Sequence, residues 1–143
     1  MGYTKRAIVD AAYAELALAG HVFDLDTETL QGALLRLDAM CGAWESQGVS
    51  CGYRFPAEPG ESDVDHDSGI GDGGFEAVFM SLAVRLAAGH GKTVAADTRS
   101  AARAGFNALA ARCAIPPPTQ MPGGFPLGAG NLRHGIVFTG DPQ

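Results

Sequence analysis

The sequence has little positive charge and no long apolar run. Its 143 residues include 10 Lys and Arg against 16 Asp and Glu, which gives a net charge of −6. Proteins that bind nucleic-acid phosphates or anionic membranes need clustered cations, so neither class is favoured. The longest apolar stretch, residues 11–19, is interrupted by Glu15 and is too short to span a bilayer. Residues 1–6 lack the apolar run of a signal peptide.

The sequence also lacks the cysteine pattern of a disulfide framework. Cys41, Cys51 and Cys113 are odd in number and far apart, so we expect a chain that folds in a reducing cytoplasm. Neither these cysteines nor the four histidines have the spacing of zinc ligands. What the chain has in quantity is glycine and proline, 20 and 8 residues, so part of it is expected to lack regular structure.

Two helices are predicted in the first third of the chain. Thr4 can cap a helix that runs to about Gly20. A second helix is predicted from Asp26 or Thr27 to Gly48. This second helix has the clearest apolar stripe in the sequence, with spacings of three and four residues; the stripe comprises Leu30, Leu34, Leu37, Cys41 and Trp44.

Two further helices follow an irregular segment. Apolar spacing predicts a third helix over about residues 75–88 and a fourth, capped by Thr93, to about Ala114. The fourth helix is expected to be buried through five side chains, which are Val94, Ala102, Phe106, Leu109 and Cys113. The predicted fold class is therefore all-α, a small four-helix bundle with a short β/acidic loop insertion between helices 2 and 3 and an extended C-terminal arm.

The insertion covers residues 49–74. Residues 49–55 alternate apolar and polar side chains, which predicts a short strand, and residues 56–74 form a long acidic loop. Seven of the 16 acidic residues lie in this loop region, namely Glu58, Glu61, Asp63, Asp65, Asp67, Asp72 and Glu76. We expect residues 1–114 to form one helical core that includes this insertion.

Residues 115–143 are predicted to form an extended docking arm. They contain six Pro and six Gly and have too little apolar surface to fold alone. Apolar side chains nevertheless recur along them, at Met121, Phe125, Leu127, Leu132, Ile136, Val137 and Phe138. An extended segment with regular apolar anchors is typical of a segment that docks on a partner.

Two motifs suggest chemistry without completing it. Residues 89–93 contain the GKT of a phosphate-binding loop, but the required upstream glycine is Leu86 and a helix precedes the motif instead of a strand. Residues 63–69 resemble the start of a calcium loop, but Ser68 and Gly74 stand where a glycine and a bidentate Glu are needed. We predict no catalytic residue, metal site or cofactor. A small cytoplasmic calcium-binding or regulatory helical protein remains the alternative.

Three blocks, taken in order, resemble a known family. They are MxxxWxxxGVxxGYxF at residues 40–55, AVFxxLAxRLA at residues 77–87, and MP at 121–122 followed by GxGN at 128–131. The sequence is similar to the packaged-DNA stabilisation proteins of short-tailed phages, also called tail accessory factors or head-to-tail connectors. The similarity covers roughly residues 4–138.

This resemblance implies a structural protein without enzymatic activity or cofactor. Family members assemble as a dodecameric ring under the portal protein, close the neck after DNA packaging and provide the surface for tail attachment. The implied partners are the portal protein, neighbouring copies and a downstream tail component such as a nozzle or hub. DNA would pass through without specific binding, and no membrane is involved. The protein would be made in the host cytoplasm and located in the virion neck.

The resemblance also assigns candidate site residues. The arm that binds the portal and neighbouring copies would comprise Met121, Pro122, Phe125, Leu127, Gly128, Gly130, Asn131, Leu132, Ile136 and Phe138. A second candidate surface is the acidic loop, represented by Glu61, Asp63, Asp65, Asp67 and Asp72. If this loop lines the central channel of a ring, its like charge would keep DNA from adhering during passage.

Overall fold

The computed structural model describes residues 2–16, 26–58 and 60–115, and in these residues the chain forms four α-helices. They are α1 (Lys5–Glu15), α2 (Thr27–Ser46), α3 (Asp72–Gly89) and α4 (Ala96–Cys113). The prediction of an all-α chain with four helices is confirmed for this part of the chain. None of these helices is both long enough and apolar enough to cross a membrane.

The ends of the helices follow local signals in part. The Thr4 hydroxyl caps α1 by accepting a hydrogen bond from the backbone N–H of Ala7, as predicted. The same helix ends at Glu15, because Leu16 has a ψ of 3° and leaves helical geometry; Gly20, the predicted end, lies outside the described residues. The prediction that Thr93 caps α4 is also wrong. The cap position is occupied by Ala95, which offers no side-chain acceptor.

The predicted strand over residues 49–55 is absent. The alternation itself is real, because Val49 and Tyr53 are buried while Ser50 and Arg54 are exposed. Gly52 has a φ of +81°, in the left-handed region, and this interrupts an extended backbone. Within the described ranges the structure contains an isolated bridge between Thr4 and Asp67 but no strand for this segment to pair with. The described residues of the insertion before α3, 49–58 and 60–71, are therefore irregular.

α3 is the central helix of the bundle, in contact with the other three helices. Its side chains Val78, Leu82 and Leu86 are buried almost completely. The stripe predicted on α2 also lies in the core. Four of its members are buried and Leu30 is packed against the cluster; the four are Leu34, Leu37, Cys41 and Trp44. The apolar face that the sequence predicts for α2 therefore packs into the core.

α4 is less deeply buried than the other helices. Of the five side chains predicted to bury it, Ala102 and Leu109 are buried, while Val94, Phe106 and Cys113 are partly exposed. The helix approaches α3 closely because Gly105 has no side chain at the point where it meets Ala77. At its N-terminal end, the Thr98 hydroxyl donates a 2.6 Å hydrogen bond to Glu15 of α1. α4 thus contacts α3 near its middle and α1 at its N-terminal end.

Candidate functional site

The acidic loop is attached to the beginning of α1 by backbone hydrogen bonds. The first N–H groups of any helix have no partner within the helix. Here the N–H of Lys5 donates to the carbonyl of His66 at 3.0 Å, and that of Arg6 donates to the carbonyl of Val64 at 2.8 Å. In the other direction, the N–H of Ser68 donates to the carbonyl of Tyr3 at 2.9 Å. The N-terminal end of α1 and the loop therefore supply hydrogen-bond partners for each other's backbone groups.

A buried lysine forms the centre of this attachment. The side chain of Lys5 is 2% exposed, and its Nζ donates a 2.7 Å hydrogen bond to the Ser62 hydroxyl. The same Nζ lies 3.8 Å from a carboxylate oxygen of Asp38 on α2 and 4.8 Å from the centre of the Tyr53 ring. The Tyr53 hydroxyl donates to the Asp38 carboxylate. One ammonium group thus joins α1, α2 and both ends of the loop segment 53–62.

The electrostatics of this network follow from burial. Burial raises the pKa of Tyr53 well above its ordinary value, and the hydrogen bond to the Asp38 carboxylate raises it further. A buried ammonium group is tolerated when it is paired and hydrogen-bonded. Among the described residues no buried side-chain nitrogen or oxygen lacks a hydrogen-bond partner. We therefore regard this network as the anchor that gives the loop one conformation.

Two of the five predicted acidic site residues form ion pairs with arginines. The Arg6 guanidinium donates to Asp65 at 3.1 Å, and the Arg54 guanidinium donates to Asp67 at 3.1 Å. Asp67 also accepts a 3.0 Å hydrogen bond from the N–H of Gly69. Opposite charges at these distances reduce the negative field that the loop would otherwise project. The loop is therefore less negative than its composition indicates.

The other three acidic site residues lie on the surface. Asp63 accepts a hydrogen bond from the N–H of Asp65 at 3.1 Å and lies 3.7 Å from the His66 ring. Asp72 begins α3, and its carboxylate raises the pKa of the Tyr3 phenol above its ordinary value. Glu61 is exposed. The structure thus places three of the five acidic residues, Asp65, Asp67 and Asp72, beside residues 3–6 at the beginning of α1.

The carboxylates of the incomplete calcium motif have other partners. Asp65 accepts a hydrogen bond from the Arg6 guanidinium, and Asp67 accepts one from the Arg54 guanidinium and one from the N–H of Gly69. Within residues 2–16, 26–58 and 60–115, no three His, Cys, Asp or Glu side chains come together in a way that could hold a metal ion. Within the described residues, the loop is held by the side chains of Lys5, Arg6 and Arg54.

The predicted arm lies almost wholly outside the described residues. This applies to all ten of its candidate residues: Met121, Pro122, Phe125, Leu127, Gly128, Gly130, Asn131, Leu132, Ile136 and Phe138. The described part ends at Ile115, whose side chain is 89% exposed directly after α4. The start of the arm is therefore free of the core, and its further course stays a prediction.

Two features of this region escaped the sequence reasoning. The burial of Lys5 has no local signal, because it depends on residues 53–62 folding over the start of α1. The other is Leu35, which is 60% exposed on α2 beside a cavity of about 280 Å³. Its position could have been inferred, because Leu35 follows Leu34 directly and so falls outside the apolar stripe.

Comparison with known proteins adds one match. A family described as P22 tail accessory factor matches residues 1–137. A search of curated proteins finds no match. The matched range includes all four helices, the acidic loop and most of the Pro- and Gly-rich segment that follows Ile115.

Proposed function

Because the chain belongs to the P22 tail accessory factor family, which matches residues 1–137, we propose that it is a structural head-to-tail adaptor. Copies of the chain assemble as a ring under the portal protein, close the neck after DNA packaging and present the surface to which the tail attaches. The ring is dodecameric, and a nozzle or hub component binds below it. The adaptor acts in the virion after synthesis in the host cytoplasm, and its role includes no catalytic step.

The extent of the family match carries this proposal. The match does not end with α4 but continues through the Pro- and Gly-rich segment to residue 137. That segment belongs to what the family shares, although it has too little apolar sequence to fold alone. A shared segment of this kind has a physical purpose if it becomes ordered on a partner. We assign that partner as the portal protein and the neighbouring copy.

The core of the protein supports a separate role for the arm. Among the described residues, the buried apolar cluster is built from side chains between Ile8 and Leu109, and we infer that this cluster is sufficient for a free subunit to fold. Free subunits can then fold first and order their arms later. The entropy lost in ordering the arm is offset by binding at the moment of assembly, which limits association before the portal is present. Subunits joined head-to-tail around an axis close into a ring when their rotation matches the template.

The acidic loop is the second element of the proposal. We assign its exposed carboxylates, represented by Glu61 and Asp63, to the wall of the central channel. Their negative charge would repel DNA phosphates and prevent adhesion during passage. The anchor around Lys5 supports this role because it holds the loop in one conformation. A structure of the assembled ring with this loop on its outer surface would contradict the assignment.

Removal of the arm tests the proposed function most directly. Light scattering after size exclusion should find the full chain monomeric alone and bound to the portal ring when portal protein from the same genome is added. A chain cut after Ala114 should remain folded by circular dichroism, because it retains all four helices and the cluster between Ile8 and Leu109, and it should lose portal binding. The same loss is expected when Phe125, Leu127, Ile136 and Phe138 are replaced by Ser.

The matched control replaces polar residues of the same segment. Thr119→Ser, Gln120→Ser and Thr139→Ser change the segment without removing apolar anchors, so portal binding should persist. The proposed role of the arm would be contradicted if the full chain did not bind the portal protein, or if the truncated chain bound it equally well.

A further inference from the structure

The exposed side of α2 contains a groove, which we call the α2 groove. One wall is formed by α2 between Gln31 and Asp38, and the other by Gly60 and Ser62 of the acidic loop, around a volume of about 280 Å³. Leu35 lines the groove and is 60% exposed. No heavy atom lies within 4 Å of a Cβ placed on Gly32, so the groove is open to solvent along the helix.

The α2 groove has no unpaired charge. Of the described residues that line it, only Asp38 is charged. The Asp38 carboxylate accepts hydrogen bonds from the hydroxyls of Tyr53 and Ser62 and lies 3.8 Å from the Nζ atom of Lys5. These contacts also hold Ser62, and with it the loop wall of the groove, in place. A concave surface with an exposed leucine and neutral polar groups suits an uncharged apolar segment.

Residues 116–132 of the chain have the matching composition. They include no Asp, Glu, Lys, Arg or His, and their apolar side chains include Met121, Phe125, Leu127 and Leu132. Prolines at positions 116–118, 122 and 126 favour an extended backbone whose polar groups stay available for a partner. Extended Pro-rich segments are a common occupant of apolar grooves. Charge and shape thus agree between this segment and the α2 groove.

The segment is long enough to reach another copy of the chain. It follows Ile115, whose side chain is 89% exposed after the end of α4. In an extended conformation residues 116–132 span roughly 50 Å, which exceeds the diameter of a small domain, roughly 30 Å. A segment of one copy that enters a groove of the next makes a head-to-tail contact, and contacts of this kind can close a ring.

We propose that the α2 groove binds residues 116–132 of a neighbouring copy, with Leu35 as the main apolar contact. This inference rests on the proposed function, because it names the surface that the arm of a neighbour occupies in the ring. The same contact, repeated from copy to copy, joins the subunits around the axis. The residues that follow Leu132, which include Ile136 and Phe138, are left for the portal protein.

Site-directed photo-crosslinking in the full chain tests the proposal. The photoreactive residue p-benzoylphenylalanine takes the place of Gln31, which is exposed and lines the groove, so Leu35 is unchanged. Irradiation should give a covalent dimer with the chain alone at millimolar concentration, and more of it on the portal ring, where neighbours are held close. Trypsin should release the linked segment as the single peptide 113–133, because no Lys or Arg lies between Arg112 and Arg133.

Two matched controls define the groove. The photoreactive residue in place of Ser100, which is exposed on α4 and does not line the groove, should give no dimer linked to peptide 113–133. In the chain with the Gln31 probe, Leu35→Gln should lower the yield of dimer several-fold and leave the helix content unchanged, because Leu35 is mostly exposed. Arg36→Gln, next to it on the helix and outside the groove, should not change the yield.

The possible outcomes separate this inference from the proposed function. A dimer linked to peptide 113–133 in a chain that does not bind the portal protein would support the groove and contradict the adaptor role. A crosslink within one copy, to the portal protein or to a helix of the neighbour would overturn the groove assignment even when portal binding is normal. The absence of a crosslink both with and without the portal protein would overturn it as well.

Discussion

The acidic loop is attached to α1 by hydrogen bonds and ion pairs, whereas α4 is attached to α3 by the close approach of small side chains. In the first region a single buried ammonium group of Lys5 contacts Ser62, Asp38 and Tyr53. In the second, Gly105 lies directly over Ala77. Polar contacts depend on partners and pH, while close packing depends on shape. The two regions should therefore respond differently to the same kind of perturbation.

The two regions also differ in the interactions that determine their conformation. Hydrogen bonds to Lys5 are directional and select one conformation of an irregular segment that has no repeating backbone pattern. Packing of α4 needs no such direction, since helices already have a regular backbone and require only complementary surfaces. An irregular loop that must present carboxylates in a fixed arrangement thus uses the more directional form of attachment.

The largest effect is expected when the buried ammonium group is removed. Lys5→Ala leaves the Asp38 carboxylate and the Ser62 hydroxyl without their cation, which should lower the free energy of unfolding by about 3 kcal/mol or more. Chemical denaturation with urea measures this loss.

The neighbouring residue provides the matched control. Arg6→Ala removes an ion pair whose two side chains are 48% and 73% exposed, so it should cost less than about 1 kcal/mol. Equal losses for the two variants would mean that burial of Lys5 contributes nothing to the attachment.

An intermediate effect is expected at the contact between α3 and α4. A Cβ atom at position 105 would lie 2.7 Å from the Ala77 Cβ and 2.8 Å from its Cα. Gly105→Ala should gain up to about 1 kcal/mol in helix propensity, yet it should destabilise the protein by about 1–2 kcal/mol because the helices must separate. Thermal unfolding of the variant shows whether the substitution raises or lowers the stability of the protein.

Gly32 tests the propensity contribution alone. It lies on α2 with no heavy atom within 4 Å of a Cβ at that position. Gly32→Ala should therefore stabilise the protein, by about 0.5–1 kcal/mol. If Gly105→Ala were also stabilising, the proposed steric fit between α3 and α4 would be wrong.

A smaller effect at neutral pH than those of Lys5→Ala and Gly105→Ala is expected for Tyr53→Phe, which removes the hydroxyl that donates to Asp38. Asp38 keeps its contacts with Lys5 and Ser62, so the cost should be about 1 kcal/mol. The pKa of Tyr53 is raised in the folded state, so its contribution is complete below about pH 10 and is lost as the pH rises further.

Denaturation as a function of pH sharpens this last comparison. The unaltered chain should lose stability more steeply above about pH 10 than Tyr53→Phe does, because only the unaltered chain must keep that phenol protonated to stay folded. If the free energies of unfolding of the two proteins changed equally with pH, Tyr53 would not contribute to the pH dependence of stability.

The helices could be predicted because their signals are local. The cap at Thr4 and the apolar stripe of α2 each depend on residues within a few turns of one another, and both are confirmed. The segment 49–55 shows the limit of this reasoning. Its alternation identified Val49 and Tyr53 as buried, but a strand also requires a partner, and nothing in a local pattern supplies one.

The candidate site could be predicted less well because its contacts join distant residues. The composition of the acidic loop was visible, whereas its pairing with Arg6 and Arg54 was not. The contact between Cys113 and Ser50 was not visible for the same reason, since it forms through the packing of α4. Family resemblance identified the whole chain better than any of its parts, because it uses the order of several weak blocks at once.

The attachment of α1 to the loop has a consequence for the order in which the protein folds. The side-chain contacts between Lys5 and Ser62 and between Tyr3 and Ser68 join residues 57 and 65 positions apart. Such contacts form only after a long chain segment has been closed, and non-local contacts slow folding. We therefore expect α1 to dock among the last of the four helices. We expect the α3–α4 hairpin, whose partners are near neighbours in sequence, to form before it.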